Sequence, residues 1–156
     1  MKVNIGISEK DLKITTGILA TLLADQHVLY VKTRNYHWNV EGENFIQHHE
    51  FLEAQYTLLA EMIDVVAERM RYLGVRAPGT MAEFIDASQL VEAKDKKINA
   101  KEMLSNLLVD HETIIKALRA DIEKCGQTND AGTADFLTAN MQAHEKMSWM
   151  LRAHLS

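Results

Sequence analysis

The hydrophobic and polar positions of the chain repeat with the period of an α-helix in four long segments, A to D. In segment B the apolar residues recur at alternating spacings of four and three: Leu52, Tyr56, Leu59, Ile63, Val66, Met70 and Leu73. This spacing places them on one side of a helix. The other three segments follow the same rule, and no stretch alternates as a strand does. The pattern therefore predicts an all-α chain.

Glycines and the single proline separate the four segments. We predict helices over about residues 8–37, 44–73, from residue 99 onward, and 130–154. Ser8 with Asp11, and Asn99 with Glu102, have the spacing of helix-capping boxes. The stretch "MAEFIDAS" predicts a short helix within the long connection between B and C. Four long helices with one long link are typical of a four-helix bundle with a B–C crossover.

Composition narrows the class of protein. The 156 residues suit one domain over residues 1–156, with residues 1–8 as a short N-terminal tail. The net charge of -5 and a tail region with only Lys2, Lys10 and Lys13 argue against nucleic-acid binding. One cysteine, Cys125, excludes an intrachain disulfide. No secretory signal and no apolar run of membrane-spanning length stand out, so we expect a cytoplasmic protein.

Segment B also carries a polar face. At 100° per residue, Glu53, Asp64 and Glu68 fall within about 100° of His49 on the helix circumference. Along this face the order His49, Glu53, Thr57, Ala60, Asp64, Glu68 has spacings of 4, 4, 3, 4 and 4. The order is a palindrome, and its two central residues are small.

The palindrome predicts a site shared between two chains. His49 and Glu68 are separated by about 28 Å along the helix, so one metal ion cannot bridge them. An antiparallel copy of the helix about a two-fold axis would bring its Glu68 near His49 and its Asp64 near Glu53. Two-fold dimers are the commonest symmetric assembly.

The end of segment A adds a second imidazole. His37 lies on a face that points into the bundle, and the short turn that follows could bring it near His49. Two imidazoles and three carboxylates without a thiolate suit iron or manganese and also accept zinc. The competing interpretations are a solvated charged face, the usual setting of such residues, and a plain helical oligomer that binds no metal.

The stretch "KTRNYHWNVEGENFIQHHEFLE", continued by "MIDVVAERMRYLG", resembles the Dps family of ferritin-like mini-ferritins. The resemblance covers nearly the whole chain. It implies a ferritin-like four-helix bundle assembled into a dodecameric cage that stores ferric mineral. It also implies a ferroxidase site at each two-fold interface, where hydrogen peroxide oxidises two ferrous ions. The ligand positions of the family correspond to His37, His49, Glu53, Asp64 and Glu68.

The resemblance implies further roles and includes two departures. Trp38 is expected to quench stray radicals, and Asp130 and Asp135 to line a pore for cations. Glu53 stands where the family usually has Asp, so its carboxylate reaches one methylene further. DNA binding through a basic tail is not expected here, although a DNA-binding protective protein with secondary iron chemistry remains the alternative function.

Overall fold

The computed structural model describes residues 3–94 and 97–156, and within these ranges it contains five helices and no strand. The helices are α1 (Glu9–Asn39), α2 (Phe45–Tyr72), α3 (Met81–Ala87), α4 (Ala100–Gly126) and α5 (Ala131–Leu155). Four are long, and the short α3 lies in the crossover between α2 and α4. The all-α, ferritin-like fold with a crossover helix is confirmed.

Side-chain caps explain where the helices begin. The Ser8 hydroxyl accepts a hydrogen bond from the Asp11 N–H at the start of α1. Asn99 and Glu102 form a complete capping box on α4. The same reciprocal pair, Thr80 with Glu83, starts α3, and sequence reasoning had not picked it out. These caps satisfy N–H groups that have no partner within their own helix.

The helices pair as two hairpins, α1 with α2 and α4 with α5, around a core composed mostly of leucine. A buried ion pair joins the hairpins, with Lys32 Nζ 2.6 Å from a carboxylate oxygen of Asp110. The crossover is held by buried Asp25, which accepts hydrogen bonds from the Ser88 hydroxyl (2.7 Å) and the Gln89 N–H (2.6 Å). The segment after α3 is thereby fixed against the middle of α1.

Helix α1 corrects one expectation from the sequence. By length and apolar composition it is able to cross a membrane, although no such run was expected. More than half of its apolar window is buried within the structure, against α2, α3 and α4. Packing in the bundle core therefore accounts for the apolar character of this helix.

The described part of the N-terminal tail packs against the rest of the chain. Gly74 has a φ of +83°, and a Cβ atom there would collide with the side chain of Val3. Asn129 donates a 3.0 Å hydrogen bond to the Gly6 carbonyl. Residues 3–8 therefore lie against the turn after α2 and the loop between α4 and α5.

Candidate metal centre

A pair of histidines forms where α1 ends and α2 begins. The His37 and His49 rings stack with their centroids 3.8 Å apart. Each ring bonds the backbone of the other residue, with His37 Nδ1 2.9 Å from the His49 carbonyl and His49 Nδ1 2.9 Å from the His37 carbonyl. The His37 carbonyl lies in the last turn of α1, where intrahelical partners run out. The pair therefore closes the helix end as well as fixing both rings.

These hydrogen bonds determine which ring nitrogens are free. A carbonyl only accepts, so each Nδ1 carries the proton and each Nε2 keeps its lone pair. Glu53, one turn after His49, contributes a carboxylate, and the ligand atoms of His37, His49 and Glu53 lie within 4.8 Å of one another. Two imidazoles and a carboxylate grouped in this way form a candidate half-site for a metal ion. We call these three residues the imidazole half-site.

The remaining two predicted ligands lie elsewhere on α2. Asp64 and Glu68 are exposed, and Asp64 is about 16 Å from Glu53 along the helix. Tyr72 donates a 3.2 Å hydrogen bond to Glu68, and this bond and the Glu68 charge raise the pKa of Tyr72. The chain thus brings three of the five predicted ligands together and leaves Asp64 and Glu68, the carboxylate half-site, apart.

A buried network fixes the end of α2 that carries the carboxylate half-site. The Arg69 guanidinium lies 3.0 Å from Asp130 and 2.9 Å from the Thr133 hydroxyl. Asp130 also caps α5 by accepting from the Thr133 N–H at 2.9 Å. Asp130 is buried by these contacts and so has an intrachain role that the pore prediction had not included. Asp135, the other predicted pore residue, is exposed on α5.

An aromatic cluster borders the imidazole half-site. Tyr56 meets His37 edge-on, with ring centroids 5.1 Å apart. The Arg34 guanidinium lies over the rings of Tyr30, Tyr56 and Trp38. Trp38 itself is 63% exposed. Sequence reasoning assigned Tyr56 to the apolar stripe of α2, and a helical wheel alone cannot show that α1 places His37 against it.

A second histidine pair lies in the core between α4 and α5. His111 and His144 are almost fully buried, with their Nδ1 atoms 2.9 Å apart. Gln26 of α1 places its amide nitrogen 3.1 Å from His144 Nε2. Burial lowers the pKa of His144 to about 3, and burial followed by repulsion from His144 lowers that of His111 well below its usual value. These are core histidines held by hydrogen bonds, as their apolar stripes indicate.

Comparison with known protein families shows which proteins this chain is similar to. Residues 17–156 match the family model of the ferritin-like domain. The chain is 39% identical over 155 residues to a low temperature-induced protein of Nostoc, which covers 99% of this chain and 87% of that protein. It is 36% identical over 143 residues to the DNA protection during starvation protein of Brevibacillus brevis, covering 92% of this chain and 95% of that one.

A solved structure supports the same assignment. The Dps protein of Vibrio cholerae, described as a member of a broad superfamily of ferritin-like diiron-carboxylate proteins, superposes with a TM-score of 0.93 at 31% identity. The match covers 100% of this chain and 98% of that chain. Helix order, crossover helix and family model agree, and the chain belongs to the Dps family of ferritin-like proteins.

Proposed function

We propose that this protein is a ferroxidase and iron-storage mini-ferritin that uses hydrogen peroxide to oxidise Fe(II) at sites shared between two copies of the chain. The ferric product is stored inside a dodecameric cage, in the cytoplasm, and the consumption of peroxide protects against oxidative damage. The observation that carries the proposal is the imidazole half-site, in which ligand atoms of His37, His49 and Glu53 lie within 4.8 Å of one another and both Nδ1 atoms are bonded to backbone carbonyls.

The donor chemistry suits ferrous iron as substrate. Two histidines with one carboxylate are a common ligand set of non-haem Fe(II), and it leaves coordination positions open. The backbone hydrogen bonds of His37 and His49 keep both rings oriented before metal arrives. Carboxylates from Asp64 and Glu68 of a second copy would complete the site and balance the charge of two ferrous ions.

The surface of α2 supports a shared site. Apart from half-buried His49, the palindromic face is exposed, and Leu58 and Val65 beside it are 36% and 49% exposed. An antiparallel copy would bury this apolar surface and join each imidazole half-site to a carboxylate half-site. Each two-fold dimer would then hold two equivalent sites.

The protein's part in the chemistry is to bring two ferrous ions to one oxidant. Each Fe(II) gives one electron to the same hydrogen peroxide, which takes up two protons and leaves as two water molecules. Paired transfer avoids the hydroxyl radical that a single electron would release. We also propose that exposed Asp135 lines a route for cations into the cage. Buried Asp130 lies near this route and contributes to it through its position at the start of α5.

The test is anaerobic loading with Fe(II), addition of limiting hydrogen peroxide, and size-exclusion chromatography with iron analysis. We expect two Fe(II) consumed per peroxide and ferric iron eluting with a particle of about twelve subunits. Iron that precipitates as it does in buffer without protein would contradict the proposal.

DNA protection is the second candidate function, favoured by the names of relatives such as the Brevibacillus protein. The net charge of -5 and the docked residues 3–8 oppose it. A gel-shift assay at rising salt separates the two, because binding through phosphates weakens steeply with salt. We expect no shift at physiological salt.

A further inference from the structure

The aromatic cluster beside the imidazole half-site contains the side chain best placed to exchange an electron with bound iron. Among the described residues, the rings that contact His37 are those of His49 and Tyr56. Trp38 follows His37 in sequence, but its ring is turned toward Arg34 and solvent. Of the three oxidisable side chains in the cluster, Tyr30, Tyr56 and Trp38, Tyr56 is therefore the one whose ring contacts a predicted ligand.

The hydrogen-bonding state of Tyr56 differs from that of its neighbour Tyr30. Tyr30 accepts a 3.1 Å hydrogen bond from Arg34, whereas the Tyr56 hydroxyl makes none within the part of the chain that the structure describes. Tyr56 is half-buried, between the His37 ring on one side and Tyr30, 6.1 Å away, on the other. Its phenol proton is consequently not committed to a partner inside the chain.

The position of Arg34 favours a tyrosine over the tryptophan as electron donor. Its guanidinium is 4.7 Å from the Trp38 ring and 5.9 Å from that of Tyr56. Removing an electron from tryptophan first produces a cation, which the adjacent positive charge disfavours. Tyrosine loses its proton with the electron and ends neutral, so the same charge opposes its oxidation less.

From this arrangement we infer that Tyr56 supplies the second electron when peroxide meets a site holding only one ferrous ion. One hydrogen peroxide takes one electron from Fe(II) and one electron from Tyr56, whose phenol proton is released. With two protons taken up, the oxygen–oxygen bond breaks and two water molecules leave, with no hydroxyl radical. The neutral Tyr56 radical is then reduced by the next Fe(II), with uptake of one proton. The inference rests on the proposed ferroxidase function.

The experiment uses the assembled protein loaded anaerobically with one Fe(II) per site, mixed with one peroxide per iron, and frozen rapidly for electron paramagnetic resonance. We expect an organic radical whose spectrum narrows when the protein is made with ring-deuterated tyrosine. Tyr56→Phe should lose most of the signal and release more spin-trapped hydroxyl radical. The matched variants Tyr30→Phe and Trp38→Phe should keep the signal.

Iron loading provides a second readout. With two Fe(II) per site the radical yield of the wild type should fall, because the second iron now supplies the electron. Tyr56→Phe removes only an oxygen without a partner in the described chain, so a folding defect does not confuse the result. An unchanged signal in Tyr56→Phe, or loss in Trp38→Phe instead, would overturn the inference while iron oxidation continues. Failure of the wild type to oxidise iron would overturn the proposed function as well.

Discussion

The two histidine pairs of this protein are built alike and are available for different chemistry. Each joins two helices of one hairpin, His37 with His49 across α1 and α2, and His111 with His144 across α4 and α5. The first pair gives its Nδ1 protons to backbone carbonyls, and its ligand atoms lie within 4.8 Å of a carboxylate oxygen of Glu53. The second pair bonds its Nδ1 atoms to each other.

The difference shows that the partner of each ring nitrogen, more than the residue type, decides whether a histidine is available as a ligand. Because Gln26 donates to His144 Nε2, the His144 proton lies on Nδ1 and is donated to His111. That chain of bonds uses three of the four ring nitrogens of this buried pair. The imidazoles of the core pair are thus occupied by hydrogen bonds to neighbouring side chains, whereas the side chains of the imidazole half-site are not bonded to one another.

The largest expected effect is on the rate of iron oxidation, which should depend on the His37–His49 pair and not on the His111–His144 pair. His49→Ala should slow iron oxidation by at least about 100-fold, because one ligand and the support of His37 are both lost. Stopped-flow absorbance with limiting peroxide measures the rate. His144→Leu should oxidise iron at the wild-type rate while folded.

A mixing control tests whether the two half-sites come from different chains. His49→Ala and the double variant Asp64→Asn/Glu68→Gln are each expected to be inactive. Refolded together, they should recover about a quarter of the wild-type sites, since half of the dimers are mixed and each mixed dimer has one intact site. No recovery in correctly assembled mixtures would contradict a shared site.

The next effect is on stability and belongs to the core pair. In His144→Leu the Gln26 amide keeps its bond to Asn140 but loses one acceptor, and His111 Nδ1 loses its donor. We expect a loss of about 2 kcal/mol in the free energy of unfolding. Urea denaturation at pH 7 and equal subunit concentration measures it. Removing both histidines, as His111→Leu/His144→Leu, should cost less per residue, because fewer unpaired groups remain. A single variant as stable as wild type would show that the pair is not held by these bonds.

The pH dependence of stability follows from the same pair. The folded-state pKa of His144 is lowered to about 3 and that of His111 is lowered as well, so below the unfolded value near 6.5 the unfolded chain binds more protons. Stability should therefore be full well above pH 6.5 and fall by about 2 kcal/mol per unit as pH drops from 6.5 toward 5, about 1 for each histidine. Urea titrations at several pH values measure the slope. The double leucine variant should show a flatter slope than wild type, and an equal slope would exclude these histidines as its source.

The smallest effect concerns the reach of Glu53. Glu53→Asp withdraws the carboxylate by about 1.5 Å from the two imidazoles. We expect Fe(II) affinity to change by less than about tenfold, since charge and ligand type are kept. Anaerobic calorimetry measures the affinity, with Glu53→Gln as the control that removes the charge and should bind much more weakly. Equal binding by both variants would mean that Glu53 is not a ligand.

The sequence was sufficient for the helices because their signals are local. Apolar spacing and caps located α1, α2, α5 and the start of α4 to within about two residues, the usual uncertainty of a helix end. The crossover helix was also predicted, although its Thr80–Glu83 box was not noticed. Helix periodicity likewise identified the polar face of α2, since it depends only on the angle per residue.

The side-chain contacts between helices could not be predicted from the periodicity of the sequence. The wheel placed His37 near His49, but the ring stacking and the choice of free nitrogen depend on how α1 ends against α2. Asp130 was assigned to a pore, and its spacing to Thr133 is a helix-cap signal that was available in "DAGT". Tyr56 looked apolar because a single helix does not reveal which residue a neighbouring helix places against it.

The distance between the two half-sites along α2 has a consequence for newly made protein. A chain leaving the ribosome carries both halves on one rigid rod, about 16 Å apart at their nearest ligands and unable to bend together. Under the proposed function, such a chain binds a first ion but does not hold two beside one oxidant. Synthesis and catalysis are thus separated in time. Iron oxidation begins only when a second chain has completed the site, and assembly of the same chains also forms the cage that stores the ferric product.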